Sequence, residues 1–393
     1  MAIDFMAEAD ALRDELVDRR RDFHRHPELA YQEHRTAGIV ADELNNLGLE
    51  VQTGVGKTGV IGILEGANDG PTILYRADMD ALPIQEENQA EYVSQAAGKM
   101  HACGHDGHTA IALGIAKLLT NHREQLGGRV KFVFQPAEEV GSGASSMIDD
   151  GALESPAPDR TLGIHLWNDL EVGTVSVVDG PTMSGAGVFE ITVTGKGGHG
   201  AMPHQTADPI VCSAQIIVAL QSIVSRNIDP LDTVVLTIGE LHGGSARNII
   251  PQTVSFSGSF RLFREETRDL IKSRIHGIAT GVAQAMACRA DVNFGLGIGA
   301  IVNDIEVAAR ARSVFSGLGD ALDVVRQPWM ASEDVGLFMQ RNPSAYLLVG
   351  SANHERELDF PHHHPRFDFD EDVLPLSVGM MSAVIADYLG AGA

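Results

Sequence analysis

The densest chemistry in this 393-residue chain lies between Lys99 and His108, which reads Lys-Met-His101-Ala-Cys103-Gly-His105-Asp106-Gly-His108. A thiolate and an imidazole two positions apart on a glycine-containing loop can turn toward one ion. That pairing suits zinc and similar transition metals, and carboxylates extend the range toward manganese. Acids and further imidazoles follow four apolar, β-rich runs. Thr72–Tyr75 leads to Asp78 and Asp80, Val130–Phe134 to Glu138 and Glu139, Leu162–Ile164 to His165, and Ala345–Val349 to His362, His363 and His364. Adjacent carboxylates need not point the same way, so one of Glu138 and Glu139 can bind metal while the other handles protons. Divalent cations turn water into a nucleophile near neutral pH, and a general base must then move its proton to the leaving amine. Asp78 and Asp80, on one side of an extended segment, suit acids that orient a ligand from behind.

Those residues need a scaffold that brings four strand ends together. Helix-like apolar spacing covers Phe5 to Phe23, Arg35 to Leu47, Thr109 to Leu119 and Leu374 to Leu389, alternating with the apolar strands. Such alternation predicts a sheet buried on both faces, the α/β layered class. Ligands of open α/β sheets bind beyond the carboxyl ends of the strands, where these acids and imidazoles fall. After about Ser184 the order becomes strand (Val188–Thr194), helix (Pro209–Ser225), strand (Thr233–Ile238), strand (Thr253–Phe260), helix (Glu266–Met286) and strand (Arg289–Phe294). That βαββαβ order predicts a ferredoxin-like α+β domain. The expected layout is therefore residues 1–184, an insertion over 185–298, and a return to the first domain over 299–393.

Bulk properties bound the function. A 44% hydrophobic, 21% charged chain of this length can bury two cores. A formal charge of −24 argues against partners that demand basic patches, namely nucleic acid and anionic membranes. Of the 29 basic residues six are lysine, a bias compatible with a salt-rich cell interior or an arginine-rich genome. No apolar run is expected to reach the length of a membrane span, and the charged start lacks the apolar stretch of a signal peptide, so a soluble, cytoplasmic protein is expected. Three cysteines make no disulfide framework. Cys212 and Cys288 read as small core residues.

The motifs carry a resemblance. His24–Glu28 (HRHPE), Arg76–Pro83 (RADMDALP), Met100–His108 (MHACGHDGH), Gln135–Glu139 (QPAEE), Gly197–Ala201 (GGHGA), Asn248–Pro251 (NIIP) and His364–Asp368 (HPRFD) run in order along nearly the whole chain. With them the sequence resembles the metal-dependent aminoacylase and carboxypeptidase family, in the branch of hippurate hydrolase and the indoleacetyl-amino-acid hydrolases. The resemblance implies a three-layer α/β/α zinc-exopeptidase-like catalytic domain with an inserted lid that also dimerises. It implies two divalent metal ions (Zn, Mn, Co or Ni) on Cys103, His105, Glu139, His165 and one histidine near Pro365. Aligning on the family's His-x-Pro pattern picks His363. Glu138 takes the role of general base, with Asp78 or Asp80 as its supporting acid. His199 matches a histidine that polarises the substrate carbonyl, and Asn248 and Arg261 match positions that hold the substrate carboxylate; His24 and His26 read as scaffold. The implied activity is hydrolysis of a small N-acyl amino acid to a free amino acid and a carboxylic acid. A carboxypeptidase or dipeptidase would share the site, and a non-catalytic metal-binding protein is a third reading.

Overall fold

The computed structural model describes residues 3–319 and 322–391 and divides into two compact units. One comprises the segments up to Thr182, Val302–Pro328 and from Glu333 onward; the other comprises Met183–Ile301 and Trp329–Ser332.

The first unit is built on an eight-stranded sheet. Four neighbouring strands, Gly127–Gln135, Asn68–Asp78, Arg160–Glu171 and Ser344–Ala352, run parallel. The antiparallel hairpin Glu50–Val55/Gly59–Glu65 extends one side, and the short strands Thr174–Ser176 and Asp323–Val325 the other. Both faces are covered, as the side chains of single strands show. Ile73, Tyr75, Phe132 and Phe134 enter one core with Ile111, Ile115, Met380 and Val384 from the helices His105–Asn121 and Val373–Tyr388. Their neighbours Leu74 and Val133 point the other way, into a second core with Met147 and Phe338. This is the three-layer arrangement, and burial on both faces explains why these strands read as continuous apolar runs.

Local differences from the sequence reading have physical causes. The opening helical stretch is two helices, Phe5–Asp10 and Arg13–Arg25, because the chain leaves helical geometry at Leu12 (ψ 0°). The second helix buries Arg20 and His24 instead of an apolar stripe alone. Arg20 reaches Asp106 at 2.9 Å and Asp368 at 2.7 Å, and His24 Nδ1 lies 2.7 Å from the same Asp106. His26 is half-exposed and bonds the Asp22 carbonyl at 2.8 Å.

The second unit holds an antiparallel sheet in the order Val234–Gly243, Thr253–Leu262, Gly185–Thr194, Arg289–Phe294. The helices Pro209–Leu220 and Glu265–Ala285 pack Ile216, Ile271 and Ile275 onto the inward residues Phe189, Ile191, Val193 and Phe256. Strand order and connections are those of a ferredoxin-like sandwich. Contrary to expectation, one stretch, Pro209–Arg226, reaches 18 residues at a mean hydropathy of 1.4, enough by length and composition to span a membrane. It is broken after Leu220 into two helices, and Cys212, Ile216, Leu220 and Ile223 sit in the core of this unit.

Burial and Arg20 push the His24 pKa down, but Asp106 and Glu86 outweigh them and raise it from 6.5 to about 9. A raised folded-state value contributes stability that is complete below pH 6.5 and lost as pH rises through 9. The metal-free protein should therefore lose on the order of 3 kcal/mol across that window relative to His24→Gln. Parallel urea titrations at pH 6 and pH 9.5 measure this, and a pH-independent gap between the two proteins would contradict it.

Candidate metal centre

Two strand ends carry the acids expected of them, whereas His165 proves to lie inside its strand and not at the end. The Asn68–Asp78 strand stops at Asp78 and continues into Asp80. The Gly127–Gln135 strand runs into Pro136-Ala137-Glu138-Glu139. His165 lies within the Arg160–Glu171 strand, beside Ser344–Ala352. Cys103 and His105 flank Gly104, whose φ of +88° is open to glycine and strained for other residues. That left-handed step lets the thiol before the helix and the imidazole at its first residue face the same point.

Donor atoms converge there in overlapping triplets. The ligand atoms of Cys103, His105 and His165 lie within 4.8 Å of one another, as do those of Cys103, Glu139 and His363, and those of His105, Glu138 and Glu139. Cys103 Sγ is 3.6 Å from His165 Nε2, and His363 Nε2 is 3.5 Å from Glu139 Oε2. His105 Nε2 and Glu139 Oε1 are both buried, both lack a hydrogen-bond partner, and stand 3.9 Å apart. That gap is too wide for a hydrogen bond and suits two donors sharing an ion at about 2.0–2.2 Å from each. The residues present therefore fit a transition-metal site.

The outer contacts fix the donors. His105 donates Nδ1–H to the Asp80 carbonyl (2.9 Å) and His165 donates Nδ1–H to the Leu166 carbonyl (2.6 Å), so each Nε2 lone pair is left toward the centre. Asp80 also accepts the Glu138 and Glu139 backbone N–H groups at 3.0 and 3.1 Å. Asp78 binds Arg76 and His108, each at 2.6 Å, and lies 3.7 Å from His105 Nε2. Asp80 is thus the acid behind the ligand loop, and Asp78 is tied to Arg76.

Electrostatics match the geometry. Burial opposes charge on His105, but Asp78 and its other neighbours outweigh it and raise its pKa well above 6.5. Burial opposes ionisation of Asp78, yet His105 and Arg76 hold its pKa well below the carboxylate range. Burial, then Glu139, raises the Cys103 thiol, and burial, then Glu333 and Glu139, raises Glu138. His165 moves down, by burial and then by His108, so its imidazole is neutral. Cys103, His105 and Glu138 thus favour their protonated forms, whereas His165 and His108 favour the neutral imidazole.

Among the three consecutive histidines, packing discriminates. His362 stacks on Trp167 (ring centroids 4.6 Å apart) and donates to the Leu166 carbonyl. His364 stacks on Phe360 and accepts from Arg366 N–H. His363 alone of the three comes within reach of Glu139, with a left-handed φ of +67° and its N–H on the Ala102 carbonyl at 2.7 Å.

The remaining site candidates lie in the second unit. A two-residue bridge pairs His199 with Ile249, and Gly200 N–H donates to the Asn248 carbonyl at 2.9 Å, which sets His199 and Asn248 side by side. Arg261 lies apart from them along the Thr253–Leu262 strand and donates to the Ser332 hydroxyl. Burial lowers its pKa, and among the described residues no carboxylate is paired with it.

Several residues at the centre carried no prior assignment. Arg76 contacts Glu333 at 2.6 Å and Asp334 at 3.3 Å as well as Asp78, and Gln135 bonds both Arg76 and Asp334. Glu33 accepts the Ala137 N–H at 2.9 Å. Arg76 was legible as part of a motif. Glu33, Glu333 and Asp334 had no local signal, because the site residues they touch, Ala137 for Glu33 and Arg76 for the other two, lie far away in the chain.

A profile of the peptidase family M20/M25/M40 matches residues 74–387. The chain belongs to that family. This M20 chain is 40% identical over 381 residues to an IAA-amino acid hydrolase of Arabidopsis thaliana, covering 96% of itself and 86% of that protein. It is 38% identical over 364 residues to the N-acetyl-L-cysteine deacetylase of Bacillus subtilis, covering 92% and 85%. A carboxypeptidase of Saccharolobus solfataricus is 37% identical over 369 residues, with 93% of each chain covered. Among solved structures, a methicillin-resistant Staphylococcus aureus protein superposes with a TM-score of 0.92 at 33% identity, covering 99% and 100%. The Bacillus subtilis YXEP protein, a dinuclear metal binding peptidase, gives 0.85 at 32%, covering 97% and 99%.

Because the Cys103 thiol is held protonated, cation uptake near neutral pH should release a proton in proportion to metal bound. Cys103→Ala should lower that release by about one proton per cation bound and weaken zinc binding by at least about 100-fold, more than the cost of altering an outer contact of a metal site. Equilibrium dialysis with unbuffered pH recording reads both; unchanged proton release in the variant would exclude Cys103.

Proposed function

We propose that this M20 chain is a metal-dependent amidohydrolase that cleaves the amide bond of N-acyl amino acids. The observation that carries the reading is the convergence of five donors with an additional carboxylate, Glu138, within reach of His105 and Glu139. A closed structural zinc site needs about four ligands and no base, so the surplus favours catalysis over a structural metal. The names of the Arabidopsis and Bacillus relatives, which act on IAA-amino acids and N-acetyl-L-cysteine, support amide cleavage.

Cys103, His105, Glu139, His165 and His363 would hold two divalent cations, whose chemistry when bound is to acidify water and polarise a carbonyl. Glu138 then takes the proton from the attacking water at its carboxylate and gives it to the leaving nitrogen, so that amide and water become acid and amine. Burial and the nearby Glu333 and Glu139 raise its basicity for this task. Asp80 fixes the loop beneath it. His199 is assigned to the substrate carbonyl, and Asn248 and Arg261 to its carboxylate. An arginine bonded only to a neutral hydroxyl is suited to receive an anion.

The carboxypeptidase relative keeps a peptidase reading open, since a C-terminal carboxylate would meet the same Arg261. N-acetyl, N-benzoyl and dipeptide substrates assayed together, with and without chelator, separate the two.

The second unit is assigned the role of a lid that pairs with a second copy of this chain. Ile210, Val211 and Val218 of the apolar helix are exposed, and the neighbouring Val234–Gly243 strand is an unpaired sheet edge carrying exposed Val235 and Leu241. An exposed apolar face beside this sheet edge fits a two-fold contact better than a lipid surface at this net charge. A cytoplasmic location accords with Cys103, Cys212 and Cys288 all being free thiols.

Glu138→Gln should retain both cations and lose about 10²–10⁴-fold in kcat, the range for general acid–base catalysis; wild-type turnover with metal bound would remove Glu138 from the mechanism. Val218→Glu should shift sedimentation from dimer to monomer, and an unchanged dimer would place the contact elsewhere.

A further inference from the structure

Resting on the roles just given to Glu138 and Glu139, we propose that Glu33 is a positioning residue. Its carboxylate holds the Ala137 peptide in a left-handed conformation and thereby aims the base and the ligand that follow.

Ala137 has φ +54°, which a residue with a Cβ adopts only when its surroundings impose it. The peptide is held from both sides. Its N–H donates to Glu33 Oε1 at 2.9 Å and its carbonyl accepts Gly143 N–H at 3.1 Å. Glu33 itself is fully buried. Its Oε1 also accepts the Tyr31 N–H at 3.0 Å, and its Oε2 accepts the Thr58 hydroxyl at 2.6 Å. Among the described residues no cation pairs with it, so three neutral donors hold a carboxylate that burial penalises.

The next two N–H groups of the loop, Glu138 and Glu139, are taken by Asp80. Two carboxylates from separate segments therefore clamp three consecutive peptides, Asp80 from below the side chains in question and Glu33 one residue upstream. The turn closes at Gly141, whose N–H bonds the Glu138 carbonyl at 2.7 Å. Little slack remains. A Cβ at Gly143 would lie 1.7 Å from the Pro136 carbonyl oxygen, so the loop packs directly against a position that only glycine fits. If Glu33 is removed, the strained Ala137 is free to relax, and the side chains that follow turn with it.

The test compares Glu33→Met, which keeps bulk and removes the acceptor, with Glu33→Gln, whose amide oxygen can still receive the Ala137 N–H. A crystal structure of metal-free E33M should show Ala137 outside the left-handed region. With cation added, E33M should lose about 10–100-fold in kcat, the usual cost of removing an outer contact of a metal site. Its KM should change less than about threefold. E33Q should stay within about threefold of wild type in both. Adding Ala137→Gly to E33M, where a left-handed φ costs nothing, should recover about tenfold of the loss. Unchanged Ala137 geometry in E33M, unchanged kcat, or no recovery with A137G would overturn the proposal. Should E33M fail to fold, Thr58→Val, which frees only Oε2, should lower kcat by about threefold or more at constant KM; no change there would overturn it equally. A wild-type protein that hydrolyses no N-acyl amino acid or peptide would sink the functional reading, while the Ala137 conformation in E33M would still decide the role of Glu33.

Discussion

The structure depends on holding many buried carboxylates close together. Asp78, Asp80, Glu138, Glu139, Glu333 and Asp334 crowd the carboxyl ends of the parallel strands, and Arg76 is the arginine that contacts three of them. Uncompensated charge in a low-dielectric interior is costly. The centre answers with hydrogen bonds from backbone N–H groups, with a raised proton affinity at Glu138 and Cys103, and with a geometry that accepts cations. The raised His105 pKa expresses the same need, since a site that attracts a proton onto a buried imidazole also attracts a divalent ion.

Rigidity follows from where these groups are mounted. Strand ends sandwiched between two cores cannot drift, and the helix starting at His105 is buried along nearly its whole length. Around the donors, left-handed backbone occurs at Gly104, Ala137, Gly141 and His363, and each is pinned by a named contact or by glycine. Strain of this kind collects at functional sites because the surrounding fold over-determines it.

Much of this was legible in the sequence because strands buried on both faces announce themselves as apolar runs, and polar residues following them must lie at one sheet edge. Glu138, Glu139 and His165 could be singled out on that ground, and Cys103 and His105 by their two-residue spacing on a glycine-containing loop before a helix. The histidine run could not be resolved from residue types, since what sets His363 apart is its approach to Glu139, while His362 stacks on Trp167 and His364 on Phe360. Nor could Glu33 or the Glu333–Asp334 pair, which act through contacts between segments far apart in sequence. The apolar stretch Pro209–Arg226 carries no sign of which residues face outward; Cys212 and Ile216 are core, whereas Val218 on the other face is 69% exposed.

The most direct test is anomalous diffraction from a crystal soaked in zinc or manganese and measured at the metal edge. Two peaks should appear, bounded by Cys103, His105, His165, Glu139 and His363 at about 2.0–2.3 Å. Peaks absent from this cluster, or a single ion bound without the thiol and Glu139, would contradict the account.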